Sequence, residues 1–279
     1  MLQGFSVEDS DPACLVELEG WGLEPVEWFE RIVCAAFPSS GFNRAGDPSD
    51  SGLLGLGKTL VLQGGLPVGG VEEVRRFLSL LTGTLTIEDS LAESHALGYH
   101  QDEDETGGLV RSELGSLVRC AKYDRPPDAD ARRRITEALR RFIEGHPRYR
   151  RAKAIAAVPP QQAGGQGSLC QTVAADLAAQ LGLTWIEIVR VSSRPPQKDI
   201  VDEDRKKGVE RRAANQEGSM TVNDHVPGLS VVIVDDLYGS GGSMREAARV
   251  LRDSGAKEVL GLTVTKQRLY EGVRLATLD

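Results

Sequence analysis

The sequence predicts an α/β fold, a twisted and mainly parallel sheet flanked by helices, preceded by an acidic N-terminal extension or small domain. Three observations predict it. From Ala154 onward short apolar runs alternate with helix-period segments, the pattern of a parallel sheet covered on both faces. One of those runs, Val231 to Val234, ends in two adjacent carboxylates and a Gly/Ser loop before the next helical segment. Charge also divides unevenly: residues 1–105 hold 5 Lys/Arg against 19 Asp/Glu, a net of −14, while the remainder is net +6. That asymmetry sets two regions apart.

Taken in order, Cys14 to Glu19 fits a short strand, and Pro25 to Ala36 has helical spacing in Val26, Phe29, Ile32 and Val33. A loop from Pro38 to Gly52 follows, then an apolar, Gly-containing run through Leu62. Val71 to Leu81 predicts a helix, because Val71, Val74, Phe77, Leu78 and Leu81 fall on one face. The polar segment Gln101 to Gly108 (QDEDETGG) reads as a linker, separating a region 1–105 without an assigned role from a domain 109–279. Leu109 to Cys120 and Asp128 to Glu144 predict helices, the second with Ile135, Leu139, Phe142 and Ile143 as its apolar stripe. Strands are expected at Ala154–Val158, Trp185–Val191, Val231–Val234 and Val259–Val264. Helices are expected at Leu169–Leu181, stopped by Gly182, and at Met244–Leu251, closed near Gly255. Ligands of such sheets bind at the carboxyl ends of the strands.

Composition narrows the function classes. An apolar content of 40% with 27% charged residues is that of an ordinary globular chain. No run of eighteen apolar residues is present to span a membrane, and the N-terminus lacks the basic and apolar regions of a secretion signal. Cys14, Cys34, Cys120 and Cys170 are scattered, without a CxxC pair. A zinc site is therefore not expected, and a reducing, cytoplasmic compartment is. With a net charge of −8 the chain makes a poor default nucleic-acid binder, since phosphate neutralisation needs clustered cations.

The segment Ser230 to Met244 (SVVIVDDLYGSGGSM) carries the chemistry. A buried strand fixes where Asp235 and Asp236 emerge, and paired carboxylates suit neighbouring hydroxyls such as the 2′ and 3′ hydroxyls of a ribose. Gly239, Gly241 and Gly242 let backbone approach a ligand closely, while Ser240 and Ser243 add hydroxyl donors. The helix that follows turns free N–H groups and its positive dipole end toward the loop, which favours a phosphate. The plainer alternative is a solvated turn between a strand and a helix.

This order of strand, acid pair, Gly/hydroxyl loop and helix resembles the signature of type I phosphoribosyltransferases. Gly239 and Ser240 stand where two threonines are usual, and Ser243 where the last one is. The resemblance extends to the ComF-like (competence protein F) family. It runs through Leu117 to Tyr123 (LVRCAKY), Ala154 to Pro160 (AIAAVPP), Arg194 to Gln197 (RPPQ) and Arg212 to Met220 (RAANQEGSM). It implies the type I phosphoribosyltransferase fold and a phosphoribosyl diphosphate (PRPP) or nucleotide ligand with Mg²⁺. It also implies Asp235 and Asp236 as the catalytic pair, touching the metal through water. The 5-phosphate would lie against Tyr238, Gly239, Ser240, Gly241, Gly242 and Ser243. The diphosphate would lie against Pro160, Gln161, Gly164 and Gly165, with Arg194 and Lys198 as cations or, equally, as loop charges. A homodimer is compatible with it. Three departures stand out. The cysteine-rich zinc module usual in ComF-like proteins is absent, Gln161 to Ser168 (QQAGGQGS) has no cation, and the acceptor-recognising part does not carry over. These keep open a non-catalytic PRPP or nucleotide sensor, or a competence/DNA-related accessory protein.

Other signals weigh less. Gly52 to Thr59 (GLLGLGKT) matches a phosphate-binding loop literally, but such a loop needs a strand before it and a helix after it. Here a Pro/Asp/Ser loop precedes and LVLQGGLPVGG follows, so an apolar, Gly-rich loop or hairpin is the expectation. Arg133, Arg134, Arg140 and Arg141 flank an apolar stripe and read as a solvated helix face. A weak nucleic-acid contact near Arg148–Lys153 would show steep salt dependence. His95, His100, His146 and His225 are isolated and read as surface or loop residues.

Overall fold

The computed structural model describes residues 2–10, 13–21, 26–45, 49–50, 57–67, 70–162, 167–192, 216–223 and 226–268. Two compact units result: Met1–Thr86 with Phe142–Arg150, and Ile87–Arg141 with Arg151–Asp279. The expected division near residues 105–109 thus differs from the one found. Glu93–Tyr99 is a strand of the second unit's sheet, and the acidic Gln101–Gly108 segment forms a hairpin and not a linker. Asp104 Oδ1 closes that hairpin's turn by accepting from the Thr106 and Gly108 amides, the local bonding that makes Asp a turn residue.

In the first unit, β1 (Leu2–Ser10), β2 (Ala13–Trp21), β3 (Asn43–Arg44), β4 (Ser49–Asp50) and β5 (Gly57–Gly65) form an antiparallel sheet in the order β1-β2-β5-β3, with β4 also on β5. Alternate residues of β2 (Cys14, Val16, Leu18) are buried, as the two-residue period of a strand requires. They share a core with residues of α1 (Val26–Ala36) and with Val74, Phe77, Leu78 and Leu81 of α2 (Val71–Thr82), the apolar face expected of that helix. Phe77 meets Phe37 edge-on at 5.5 Å and His146 at 4.7 Å, so His146 is a buried packing residue and not the surface or loop residue expected. Gly57, Lys58 and Thr59 lie in β5, paired with β2. A strand stands where a phosphate-binding loop would need to turn into a helix. Gly52 to Leu56 lie outside the described residues.

The second unit is the α/β domain. Its elements are β7 (Glu93–Tyr99), β8 (Gln101–Glu103), β9 (Leu109–Arg111), α3 (Glu113–Tyr123), α4 (Ala129–Gly145), β10 (Ala154–Ala157), α5 (Leu169–Leu181), β11 (Thr184–Ile186), β12 (Ile188–Arg190), β13 (Met220–Val222), β14 (Ser230–Tyr238), α6 (Gly242–Asp253) and β15 (Glu258–Lys266). With β6 (Leu85–Ile87) at one edge, the sheet order is β11-β10-β14-β15-β7-β6. The pairings from β11 through β7 are all parallel. The expected strand Trp185–Val191 is split, because β12 leaves this sheet to pair antiparallel with β13. The apolar run of β14 (Val231–Val234) is wholly buried, as a central parallel strand must be. The arginines of α4 face solvent with carboxylate partners: Arg133 on Asp130, Arg140 and Arg141 on Glu137, and Arg132 on Asp176. No helix among the described residues is long and apolar enough to cross a membrane.

Candidate functional site

The strand β14 outruns one neighbour and not the other. Its ladder with β10 ends at Ala157↔Val234, while its ladder with β15 continues to Tyr238↔Lys266. Asp235 and Asp236 therefore stand past the end of β10, still held in the backbone by β15. The expected strand stopped at Val234; continued pairing with β15 carries it four residues further and fixes both aspartates.

The two carboxylates have different surroundings. Asp235 is half-buried, and its Oδ1 accepts from the Asp236 amide at 2.9 Å and faces the Cys170 thiol at 3.6 Å. Burial, and then the charge of Asp236, push its carboxyl above the ordinary carboxylate range, against the opposing pull of Lys122. Asp236 is 7% exposed, and its carboxylate is ion-paired with the Lys122 ammonium from the last turn of α3. The Asp236 carbonyl accepts from Thr265 Oγ1 at 3.0 Å. Both aspartates were expected to accept from a pair of ribose hydroxyls. Asp236 is instead engaged by a cation contributed 114 residues earlier in the chain.

Cys170, Asp235 and Asp236 bring ligand atoms within 4.8 Å of one another. Magnesium takes hard oxygen donors, which the two carboxylates supply. The Cys170 thiol is pushed well above its ordinary range by burial and then by both aspartates, so it stays protonated and is no ligand for that ion. This donor set suits a metal held through water and substrate oxygens, not one caged by protein.

Beyond the pair, the chain turns into α6 through Gly239, Ser240 and Gly241. Gly241 has φ 74°, a left-handed conformation that only glycine adopts without strain. A Cβ there would also run into the Tyr238 hydroxyl. That hydroxyl donates to Asp89 Oδ2 at 3.2 Å. Asp89 in turn accepts from the Leu91 amide and Ser94 Oγ, and burial raises its carboxyl despite those bonds. Tyr238, expected at the phosphate, thus supports the loop by abutting Gly241. Gly242 and Ser243 open α6, whose first turn has no side-chain cap, leaving its amides directed at the loop. Replacing Gly241 by Ala should cost about 1–2 kcal/mol for the left-handed backbone alone, seen as a lowered thermal midpoint.

On the other side of the sheet's edge, the carbonyl of Pro160 accepts from Arg190 Nε at 2.6 Å. Arg190 is 3% exposed and also donates to Gln216 Oε1 and Ser219 Oγ at 2.9 and 3.0 Å. Pro160 and Gln161 precede α5, which Ser168 and Gln171 cap reciprocally. Gly164, Gly165, Arg194 and Lys198 lie outside the described residues. Sequence reading missed Lys122, Cys170, Asp89 and Arg190 as parts of this region. Only Lys122 had a signal, within the LVRCAKY segment.

A family model, "Phosphoribosyl transferase domain", matches residues 168–273. No curated protein matches the chain in sequence. Among solved structures, it is similar to orotate phosphoribosyltransferase from Aeropyrum pernix, with 17% identity over 60% of this chain and 74% of that one and a TM-score of 0.33. It is similar to adenine phosphoribosyltransferase from Thermoanaerobacter pseudethanolicus, with 18% identity over 72% and 93% and a TM-score of 0.37. The adenine phosphoribosyltransferase from Leishmania tarentolae gives 14% identity over 70% and 88%, with a TM-score of 0.38. The second unit is thus an α/β domain with a mainly parallel sheet flanked by helices, and the Asp235–Asp236 loop lies inside the stretch that the family model matches.

Proposed function

We propose that this protein binds PRPP with Mg²⁺ and transfers its phosphoribosyl group to an acceptor, releasing diphosphate. The observation that carries the reading is the position of Asp235 and Asp236 past the end of β10, followed at once by the Gly241 turn into α6. In this reading Asp235 and, once released, Asp236 hold the ribose hydroxyls. Backbone amides from Gly239 to Ser243 hold the 5-phosphate. The loop anchored at Pro160 by Arg190 faces the diphosphate. The bond from the anomeric carbon to diphosphate breaks as the bond to the acceptor forms, with positive charge developing on the sugar. The protein's part is to position the ribose and favour the departing anion. Magnesium, when bound, neutralises charge on the diphosphate.

The finer placement with ComF-like proteins rests on the segments 117–123, 154–160, 194–197 and 212–220, and cytoplasmic residence rests on four unbridged cysteines. A homodimer belongs to the same proposal. A second reading, a PRPP-binding regulator without turnover, is favoured by the Lys122–Asp236 ion pair and by the absence of cations from Gln161 to Ser168. Incubation with PRPP, Mg²⁺ and a panel of nucleobases and amines separates the two. Acceptor-dependent diphosphate release is expected for the transferase, and binding without release would leave only the regulator.

A further inference from the structure

The site contains an anion-binding candidate that the sequence motifs do not assign. Lys122 projects from the last turn of α3, and that helix is firmly placed. Ser112 caps it by accepting from the Gly115 amide at 2.9 Å and ties it to the sheet by donating to the Tyr99 carbonyl at 2.6 Å. Gly115 sits so close to the His100 carbonyl that a Cβ would collide with it. The origin of the Lys122 side chain is therefore fixed relative to β7 and, through β15, to the aspartate pair.

Its ammonium lies between two environments. The Lys122 side chain is 39% exposed and that of its partner Asp236 only 9%, so the cation stands on the solvent side of the carboxylate. Burial pulls its pKa down, but the charge and hydrogen bond of Asp236 outweigh that and hold it above the ordinary lysine value. Residues 235–244 contain no Lys or Arg, nor do residues 161–168. Arg245, just inside α6, donates to the Ser240 carbonyl. Among the described residues, Lys122 is the basic side chain ion-paired with the aspartates.

Resting on the function proposed above, we infer that Lys122 is a diphosphate-binding cation of this site and is held in reserve on Asp236 until ligand arrives. Lysine is a compact point charge on a flexible four-carbon stem, so a rotamer change transfers it without moving α3. The exchange leaves both charged groups with hydrogen-bond partners. The ammonium passes from one carboxylate to a multiply charged diphosphate, and Asp236 passes from the ammonium to the ribose hydroxyls. A ligand that brings hydroxyls without a diphosphate has nothing to offer Lys122 and must compete with it for Asp236. The site would thereby distinguish PRPP from ribose 5-phosphate through this one side chain.

Calorimetry on the full chain with Mg²⁺ tests this, using PRPP and ribose 5-phosphate as probes with the wild type, Lys122→Met and Lys122→Arg. Loss of a charged hydrogen bond predicts that Lys122→Met weakens PRPP by roughly ten- to hundredfold. Ribose 5-phosphate should bind this variant as well as or better than it binds the wild type, and Lys122→Arg should recover most of the PRPP affinity. PRPP affinity undiminished in Lys122→Met, or PRPP and ribose 5-phosphate weakened alike, would overturn the role of Lys122 while leaving the binding site standing. Failure of Lys122→Arg to improve on Lys122→Met would overturn a role through charge. A wild type that binds neither probe removes the functional reading, and this inference with it.

Discussion

Replacing Asp235 and Asp236 together by Asn is expected to abolish PRPP binding in the presence of Mg²⁺, measured calorimetrically, with a loss of at least about a hundredfold. Each aspartate offers charged hydrogen bonds to a ribose hydroxyl, and such bonds contribute about 1.5–3 kcal/mol apiece. The two positions should differ in stability even though they share the function. Asp235 is half-buried with its charge disfavoured by burial and by Asp236, so Asp235→Asn should melt no lower than the parent. Asp236 is the buried partner of Lys122, and neutralising it leaves an ammonium without its carboxylate. Undiminished PRPP affinity in the double variant would reject the site.

Replacing Arg190 by Met is expected to destabilise the second unit by about 3 kcal/mol, read from the urea midpoint. The guanidinium is buried and serves three acceptors on two segments: Pro160 on one, Gln216 and Ser219 on the other. Met fills much of the volume but leaves those oxygens buried without this donor, and an orphaned buried polar group costs about 1–3 kcal/mol. Lysine should not rescue the variant, because one ammonium cannot reproduce a planar fork that donates from Nε to one segment and from Nη1 to the other. Since Arg190 holds the loop expected at the diphosphate, PRPP affinity should fall with stability. An unchanged midpoint would contradict this account of the loop's anchor.

Why some of this was legible and some was not follows from the range of the interactions. The helices α2, α4 and α5 declare themselves through their apolar spacing and, for α5, through Gly182 at its left-handed C-cap. The core of β14 is an unbroken run of β-branched residues, so its existence was plain. Its length was not, because Asp235 to Tyr238 stay in the ladder only by pairing with β15. QDEDETGG looks like a linker by composition. Its Asp104 and Gly107, with φ 80°, are instead the chemistry of a tight turn between β8 and β9. The five-stranded sheet of the first unit was mostly missed, since β5 contains the run that imitates a phosphate-binding loop.

The candidate site divides in the same way. Asp235, Asp236 and Gly241 were readable because strand, turn and helix are contiguous in the chain. Lys122 and Asp89 were not, because their contacts with Asp236 and Tyr238 span 114 and 149 residues. Tyr238 shows the cost of reading contiguity alone: it lies in the loop motif, yet its hydroxyl serves Asp89.

The most direct measurement is electron density from a crystal grown with PRPP and magnesium. A sugar phosphate is expected with its 5-phosphate against the amides at the start of α6 and its ribose hydroxyls on the carboxylates that β14 presents. Ligand bound elsewhere on the chain, with this loop empty at saturation, would contradict the assignment.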